Sequence, residues 1–402
     1  MKRFLLLTLL VAAAAAPRAQ RGGGAQAPKL DVDPLWPKPF PVAKHWILGS
    51  VTGVAVDAQD RVWVVHRGVD SLQNNEKGPT LEPRASSCCY AAPQVLAFDA
   101  AGNLVANWEP KSGSGYDWPR DVSSVAVDGK GNVWIGSGLA PSAMPAGRGR
   151  GAPADGAEAR GRGDAGGRAA RGDAAARGGG DQAAARGGRG GAAPPAGPPD
   201  AQVLKFDRNG KFLLEIGKPG QTDAGSQSNL SRPLAVAVDD GANEVYVGDD
   251  GHNRVAVFDA TSGGFKRDFK ANGEPFKSVT CVKLSKDGMV YVCDRANDRI
   301  QVFQKDGKFV KEAFVSRTTT GDGSVWDVAF SPDQRILYVA DGHDKKVWML
   351  DRSSLETIGS FGQGGRYPGE FYGVGSVAVD SKGNVYTGET YEGKRVQKFV
   401  RK

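Results

Sequence analysis

Six times along the chain an apolar run of alternating Val and small residues ends in Asp or Ser and gives way to a Gly/Asp turn. The runs are Gly53-Val-Ala-Val-Asp57, Ser124-Val-Ala-Val-Asp128, Ala235-Val-Ala-Val-Asp239, Cys281-Val-Lys-Leu-Ser285, Asp327-Val-Ala-Phe-Ser331 and Ser376-Val-Ala-Val-Asp380. Each is followed by a second short strand centred on an aromatic and a third of the form Val-x-x-Phe or close to it. Alternation with period two predicts β-strands, and Gly or Asp in the intervening turns tolerates positive φ. The run ends at Asp239, Ser285 and Ser331 are 46 residues apart, and the next follows after 49. A repeat of roughly 40–50 residues built from short strands predicts one propeller blade per repeat. The fold class is therefore all-β, a six-bladed β-propeller with four-stranded antiparallel blades over residues 28–402. Blade 6 lacks an outer strand of its own. Lys29-Leu-Asp-Val-Asp33 belongs to no repeat and is expected to supply that strand against Arg395–Phe399, closing the ring.

Composition changes this picture at two places. Residues 1–20 combine Lys2-Arg3 with the apolar run Phe4 to Ala16 and small residues, the pattern of a signal peptide. The expected location is exported, periplasmic or extracellular, with peripheral or no membrane association. Residues 147–199 hold nine Arg, five Asp or Glu and no Val, Leu, Ile, Phe, Tyr or Trp. Such a segment has too little apolar surface to fold and is expected to be a disordered insertion within blade 2. These two segments account for the whole formal charge of +7. The remaining propeller is neutral, which argues against nucleic acid as a partner.

The four cysteines of an exported chain allow three pairings. Cys281 and Cys293 flank the turn at Ser285–Gly288 and are expected to pair across it. The state of Cys88 and Cys89 is left open.

The repeats resemble NHL repeats, and the blades as a whole resemble the peptidyl-α-hydroxyglycine α-amidating lyase family. Three segments carry the likeness: Val51-Thr-Gly-Val-Ala-Val-Asp57 leading to Val65-His-Arg-Gly68, Val292-Cys-Asp-Arg-Ala-Asn-Asp-Arg-Ile-Gln-Val-Phe303, and Ser324-Val-Trp-Asp-Val-Ala-Phe330. The resemblance implies a zinc-centred propeller that splits a peptidyl-hydroxyglycine into an amidated peptide and glyoxylate. It implies active-site roles for Arg67 and Arg295. The repeat supports that pairing independently, because Arg67, Gly138, Asp250, Arg295, Gly342 and Thr390 occupy one equivalent position in blades 1 to 6. Two guanidinium forks facing across one mouth suit a carboxylate.

The departures from the family are equally specific. Ser123, Thr280 and Gly375 stand where the family has its three zinc histidines, and Ser376 stands where it has an acid that helps hold calcium. No tyrosine occurs in Asp249-Asp-Gly-His-Asn-Arg254, where the family has its base. The expected cofactor is therefore none, with calcium left open. His66, His252 and His343, in blades 1, 3 and 5, offer an alternative metal site. Asp249/Arg254, Asp294/Arg299, Asp341/Lys346 and Glu389/Arg395 read as one structural ion pair per blade.

The expected ligand-binding set is Arg67, Arg295, Asp250, His66, His252 and Trp326, with Trp118 and Tyr372 nearby. The expected ligand is a small carboxylate or a peptide C-terminus. The competing expectations are a metal-dependent enzyme with a rearranged site and a platform for protein partners.

Overall fold

The computed structural model describes residues 25–110, 113, 115–138 and 198–402. The signal-peptide assignment at 1–20 lies outside them, as does the 147–199 segment except its last two residues. In blade 2 the chain leaves the second strand at Ser137 and returns as the third at Gln202. No helix among the described residues is long and apolar enough to cross a membrane.

Six four-stranded antiparallel sheets form the blades, and a two-stranded parallel pair, Trp46–Ile47 with Tyr90–Ala91, accompanies blade 1. The inner strands are Val51–Val56, Val122–Val127, Pro233–Asp239, Val279–Leu284, Asp327–Phe330 and Val374–Val379. Valine and small residues suit them because each inner strand is flanked by a blade on either side. The aromatic at the centre of each second strand, Trp63, Trp134, Tyr246, Tyr291, Tyr338 and Tyr386, is fully buried between blades.

In blades 1, 2 and 6 the strand-end Asp ties the turn to the aromatic. In blade 1 one oxygen of Asp57 accepts from the Gln59 and Arg61 amides, and the other accepts from the Trp63 indole at 2.9 Å. Asp128 does the same with Lys130, Asn132 and Trp134. Asp380 does so with Lys382, Asn384 and the Tyr386 hydroxyl. One carboxylate thus closes the turn and fixes the aromatic that fills the next interblade layer.

The ring closes through the N-terminal strand. Leu30–Asp33 forms the outer strand of blade 6, pairing antiparallel with its third strand, Val396–Arg401. The register matches Leu30 with Arg401 and Asp33 with Lys398, so the contact sits toward the chain end from the expected Arg395–Phe399. Arg395 is instead held by the Glu389 carboxylate and the carbonyls of Arg366 and Glu370, ahead of the strand. Interblade hydrogen bonds complete the ring: Asp250 accepts from the Val279 amide at 2.8 Å, Asp327 from the Val377 amide at 3.0 Å, and Asp60 from Ser381.

Cys281 and Cys293 are disulfide-bonded across neighbouring strands of blade 4, with Cα atoms 4.9 Å apart, and Cys88 is bonded to Cys89. Three of the four expected ion pairs form, at Asp249–Arg254, Asp294–Arg299 and Glu389–Arg395. The fourth does not. Asp341 accepts from the Trp348 indole at 2.9 Å, and Lys346 lies over that indole ring instead.

Deleting residues 25–33 removes the closing strand and exposes the edge of blade 6. The midpoint of thermal unfolding should fall by roughly 5 °C or more, the shift expected for a loss of a few kcal/mol in a chain of this size. An unchanged midpoint in differential scanning calorimetry would show that the ring does not depend on this strand.

Candidate functional site

The central channel opens into one cavity at the end where the inner strands begin, with about 760 Å³ of empty space, part of it open to solvent. All six blades contribute to its wall, and Arg67, Arg295, Trp326 and Thr390 stand at its rim with Gly138. Arg67 and Arg295 thus line a single cavity.

Local sequence sets each arginine. In blade 4 the second strand ends at Asp294, and Arg295–Asn297 makes one 3-10 turn closed by Asp298 at φ 54°. Asp tolerates this left-handed conformation better than most residues. Asp294 grips the Arg299 guanidinium at 2.8 Å and the Asn297 amide at 2.7 Å, and accepts from the Lys277 amide at 2.9 Å. The Arg295 side chain then projects over the Trp326 ring, with the guanidinium carbon 4.6 Å from the ring centroid. Trp326 is itself fixed by its indole donating to the Gly323 carbonyl at 2.8 Å and by edge contact with Tyr391. Gly323 has φ 81°, and a Cβ there would run into the Arg295 carbonyl, so this approach requires glycine.

The two arginines differ in their electrostatics. Arg67 donates from Nε to Asp121 at 2.6 Å. Burial pushes the Asp121 carboxyl up, against the opposing pull of Arg67. Arg295 is 6% exposed and forms no ion pair among the described residues, and its Nε is buried without a hydrogen-bond partner. Burial lowers its pKa, with Asp322, Tyr391 and Asp250 acting in the other direction from further away.

Three expected site residues stand elsewhere than on the cavity wall. His66 is fully buried. Its Nδ1 accepts from the Gly49 and Gly68 amides at 3.1 and 3.0 Å, and its Nε2 donates to the Pro93 carbonyl at 3.0 Å. It clasps both ends of the 68–93 loop beside Arg67, a neutral structural role. His252 is held between Asp249 at 2.7 Å and the Thr222 carbonyl at 3.1 Å, so both ring nitrogens are engaged. Asp250 points between blades 3 and 4, accepting from Val279 and pairing with Arg232 at 2.7 Å. Trp118 packs with Trp108 and Phe206 in the core between blades 1 and 2, and Tyr372 lies under Arg366 and Lys345. Of the six blade-equivalent positions, Arg67, Gly138, Arg295 and Thr390 line the cavity, while Asp250 and Gly342 do not.

Ser123, Thr280 and Gly375 all line the cavity. Ser123 and Thr280 direct their hydroxyls at the carbonyls of Pro233 and Val325, at 3.4 and 3.2 Å. These positions provide neither imidazole nor carboxylate and do not fit a zinc ion. His66, His252 and His343 are not brought together, and no group of three or more metal-ligating side chains occurs among the described residues.

One wall residue has no counterpart among the expected set. Lys283 stands where the other five blades have Ala55, Ala126, Ala237, Ala329 and Ala378. Its ammonium pairs with Asp327 at 3.1 Å. Burial raises the Asp327 carboxyl, and Lys283 is the strongest opposing influence. The Ala-to-Lys break in the repeat was the available signal.

A family model described as a 6-bladed beta-propeller matches residues 199–368. Mouse NHL repeat-containing protein 3 is 31% identical over 177 residues, which is 41% of this chain and 48% of the mouse protein. The chain thus spans about half the length of the curated relative it matches. Among solved structures, a Bacteroides thetaiotaomicron protein of unknown function aligns with a TM-score of 0.50 and 14% identity, covering 89% of this chain and 70% of that one. A virginiamycin B lyase from Staphylococcus aureus aligns with a TM-score of 0.44 and 10% identity, covering 88% and 86%. The family model and the mouse relative support a six-bladed propeller of NHL-type repeats.

Burial holds the His66 pKa down at about 4, from an ordinary value of 6.5. The unfolded chain binds this proton first, so the associated stability is complete above pH 6.5 and is lost as pH falls toward 4, by about 3 kcal/mol in full. Buried carboxyls such as Asp121 and Asp327, whose pKa values are raised, act in the opposite sense. The direct check is a proton NMR titration of the four imidazoles. The His66 ring should stay neutral until about pH 4, and a midpoint near 6.5 would contradict the buried clasp.

Proposed function

We propose that the channel mouth binds a small carboxylate or the carboxyl end of a peptide, with Arg295 as the anion anchor. The observation that carries this reading is the isolation of Arg295. Buried arginines elsewhere in the fold have carboxylates: Arg254 has Asp249 and Asp268, and Arg299 has Asp294 and Glu312. A guanidinium removed from water is costly unless an anion and hydrogen bonds replace the solvent. At Arg295 one face is stacked on Trp326 and the planar edge is left for an incoming acid. Arg67 is a secondary contact, since Asp121 already balances its charge. The amidating-lyase resemblance fits this recognition role and gives a carboxylate-bearing peptide as the natural ligand class. Its zinc-dependent chemistry lacks ligands at Ser123, Thr280 and Gly375, so no catalytic step is assigned. The two disulfides suit an exported, oxidising location.

The test is isothermal titration of the full chain with acetate, butanoate and short peptides with free or amidated C-termini. Free acids should bind and amidated peptides should not. Arg295→Met should weaken binding at least tenfold, as expected for losing hydrogen bonds to a charged group, and Arg67→Met should weaken it less. Equal binding of amidated peptides, or no effect of Arg295→Met, would remove the carboxylate reading and favour a platform for protein partners. Release of glyoxylate from a peptidyl-hydroxyglycine would restore the lyase.

A further inference from the structure

The mouth cavity meets a second space further along the channel. That second space, of about 1510 Å³, part of it open to solvent, lies on the far side, and Val54, Val125, Val236 and Lys283 line both. Lys283 is the one charged residue that lines both spaces, and its ammonium reaches Asp327 on the wall of the mouth cavity. It is the one charged residue in a layer otherwise made of five alanines. Its partner Asp327 is also held by the Val328 amide at 2.9 Å and the Val377 amide at 3.0 Å, leaving that carboxylate well satisfied. The ammonium carries three N–H donors, and among the described residues only Asp327 faces it as an ion-pair partner. Donors therefore remain at the floor of the cup whose rim holds Arg295.

We propose that Lys283 is the second contact of this site, and that the site takes a small monocarboxylate bearing an uncharged oxygen acceptor, such as an oxo or hydroxy acid. The inference rests on the carboxylate reading of Arg295. Charge separates the candidate ligand classes. Arg67 is paired with Asp121 and Lys283 with Asp327, which leaves Arg295 as the cation on the wall without an ion-pair contact, Asp322 and Asp250 acting on it only from further away. One carboxylate restores neutrality. A second carboxylate at the floor would meet a lysine already neutralised and a carboxylate beside it, in a partly desolvated space where like charges repel strongly. A carbonyl or hydroxyl oxygen accepts a hydrogen bond from the ammonium without that repulsion.

The experiment is calorimetric titration of the full chain with butanoate, 2-oxobutanoate, 4-oxopentanoate and butanedioate. At least one oxo acid should bind about tenfold more tightly than butanoate, the order expected for one hydrogen bond to a charged donor. Butanedioate should bind no better than butanoate. Lys283→Met should abolish the oxo-acid preference, bringing the oxo acids down to the affinity of butanoate. The charge-neutral double variant Lys283→Met/Asp327→Asn should do the same without leaving a buried carboxylate unpaired. A preference that survives in both variants, or tighter binding of butanedioate, overturns the proposal. If Arg295→Met removes acid binding but neither Lys283 variant alters selectivity, this inference alone fails. If no acid binds, or Arg295→Met has no effect, the carboxylate reading fails and takes this one with it.

Discussion

Everything about the site depends on closure of the ring. A propeller wall is made of strand edges from six separate sheets, and their relative positions are fixed only when the last blade is tied to the first. Here Leu30–Asp33 completes blade 6, while Asp60 holds Ser381 across the seam between blades 6 and 1. The seam is apolar inside, where Val51 and Val54 crowd the backbone of Gly388. Arg67 belongs to blade 1 and Arg295 to blade 4, so neither sheet alone could set their relation.

Within that ring, the same residue types differ in what neutralises them. Asp249 and Asp294 end their strands identically and each grips an arginine five residues on. That grip makes the 3-10 turn rigid, and the residue after the Asp is then delivered to a fixed place. In blade 3 this residue is Asp250, spent on the seam with blade 4. In blade 4 it is Arg295, set against the Trp326 indole face on the cavity wall, with Asp322 and Asp250 too far to pair with it. Burial without a counter-ion is uncommon for arginine. The chemical character of the mouth follows from that single difference between two near-identical turns.

Much of this was legible in the sequence because a repeat supplies its own alignment. The six strand-end residues, the orphan N-terminal strand and the Cys281–Cys293 pair all follow from counting within the repeat. The same counting gives positions 67 and 295 equivalent places, and both line the cavity. What it cannot give is which way a side chain turns. His66 and His252 sit beside wall residues, yet backbone amides and carbonyls capture one, and Asp249 with the Thr222 carbonyl captures the other. Asp341 breaks the ion-pair pattern because Trp348 offers an indole N–H within reach, a choice that spacing alone does not reveal. Lys283 was visible as a break in an alanine layer, but its meaning required knowing that two cavities meet there.

The most direct test of an arginine held without an ion-pair partner is a high-resolution crystal structure of the protein soaked with acetate. The account requires a carboxylate in the channel mouth, its oxygens within about 3 Å of the Arg295 guanidinium and its methyl directed toward Lys283. Acetate bound elsewhere, or an Arg295 turned to pair with Asp322 or Asp250 while the mouth holds only water, would contradict it.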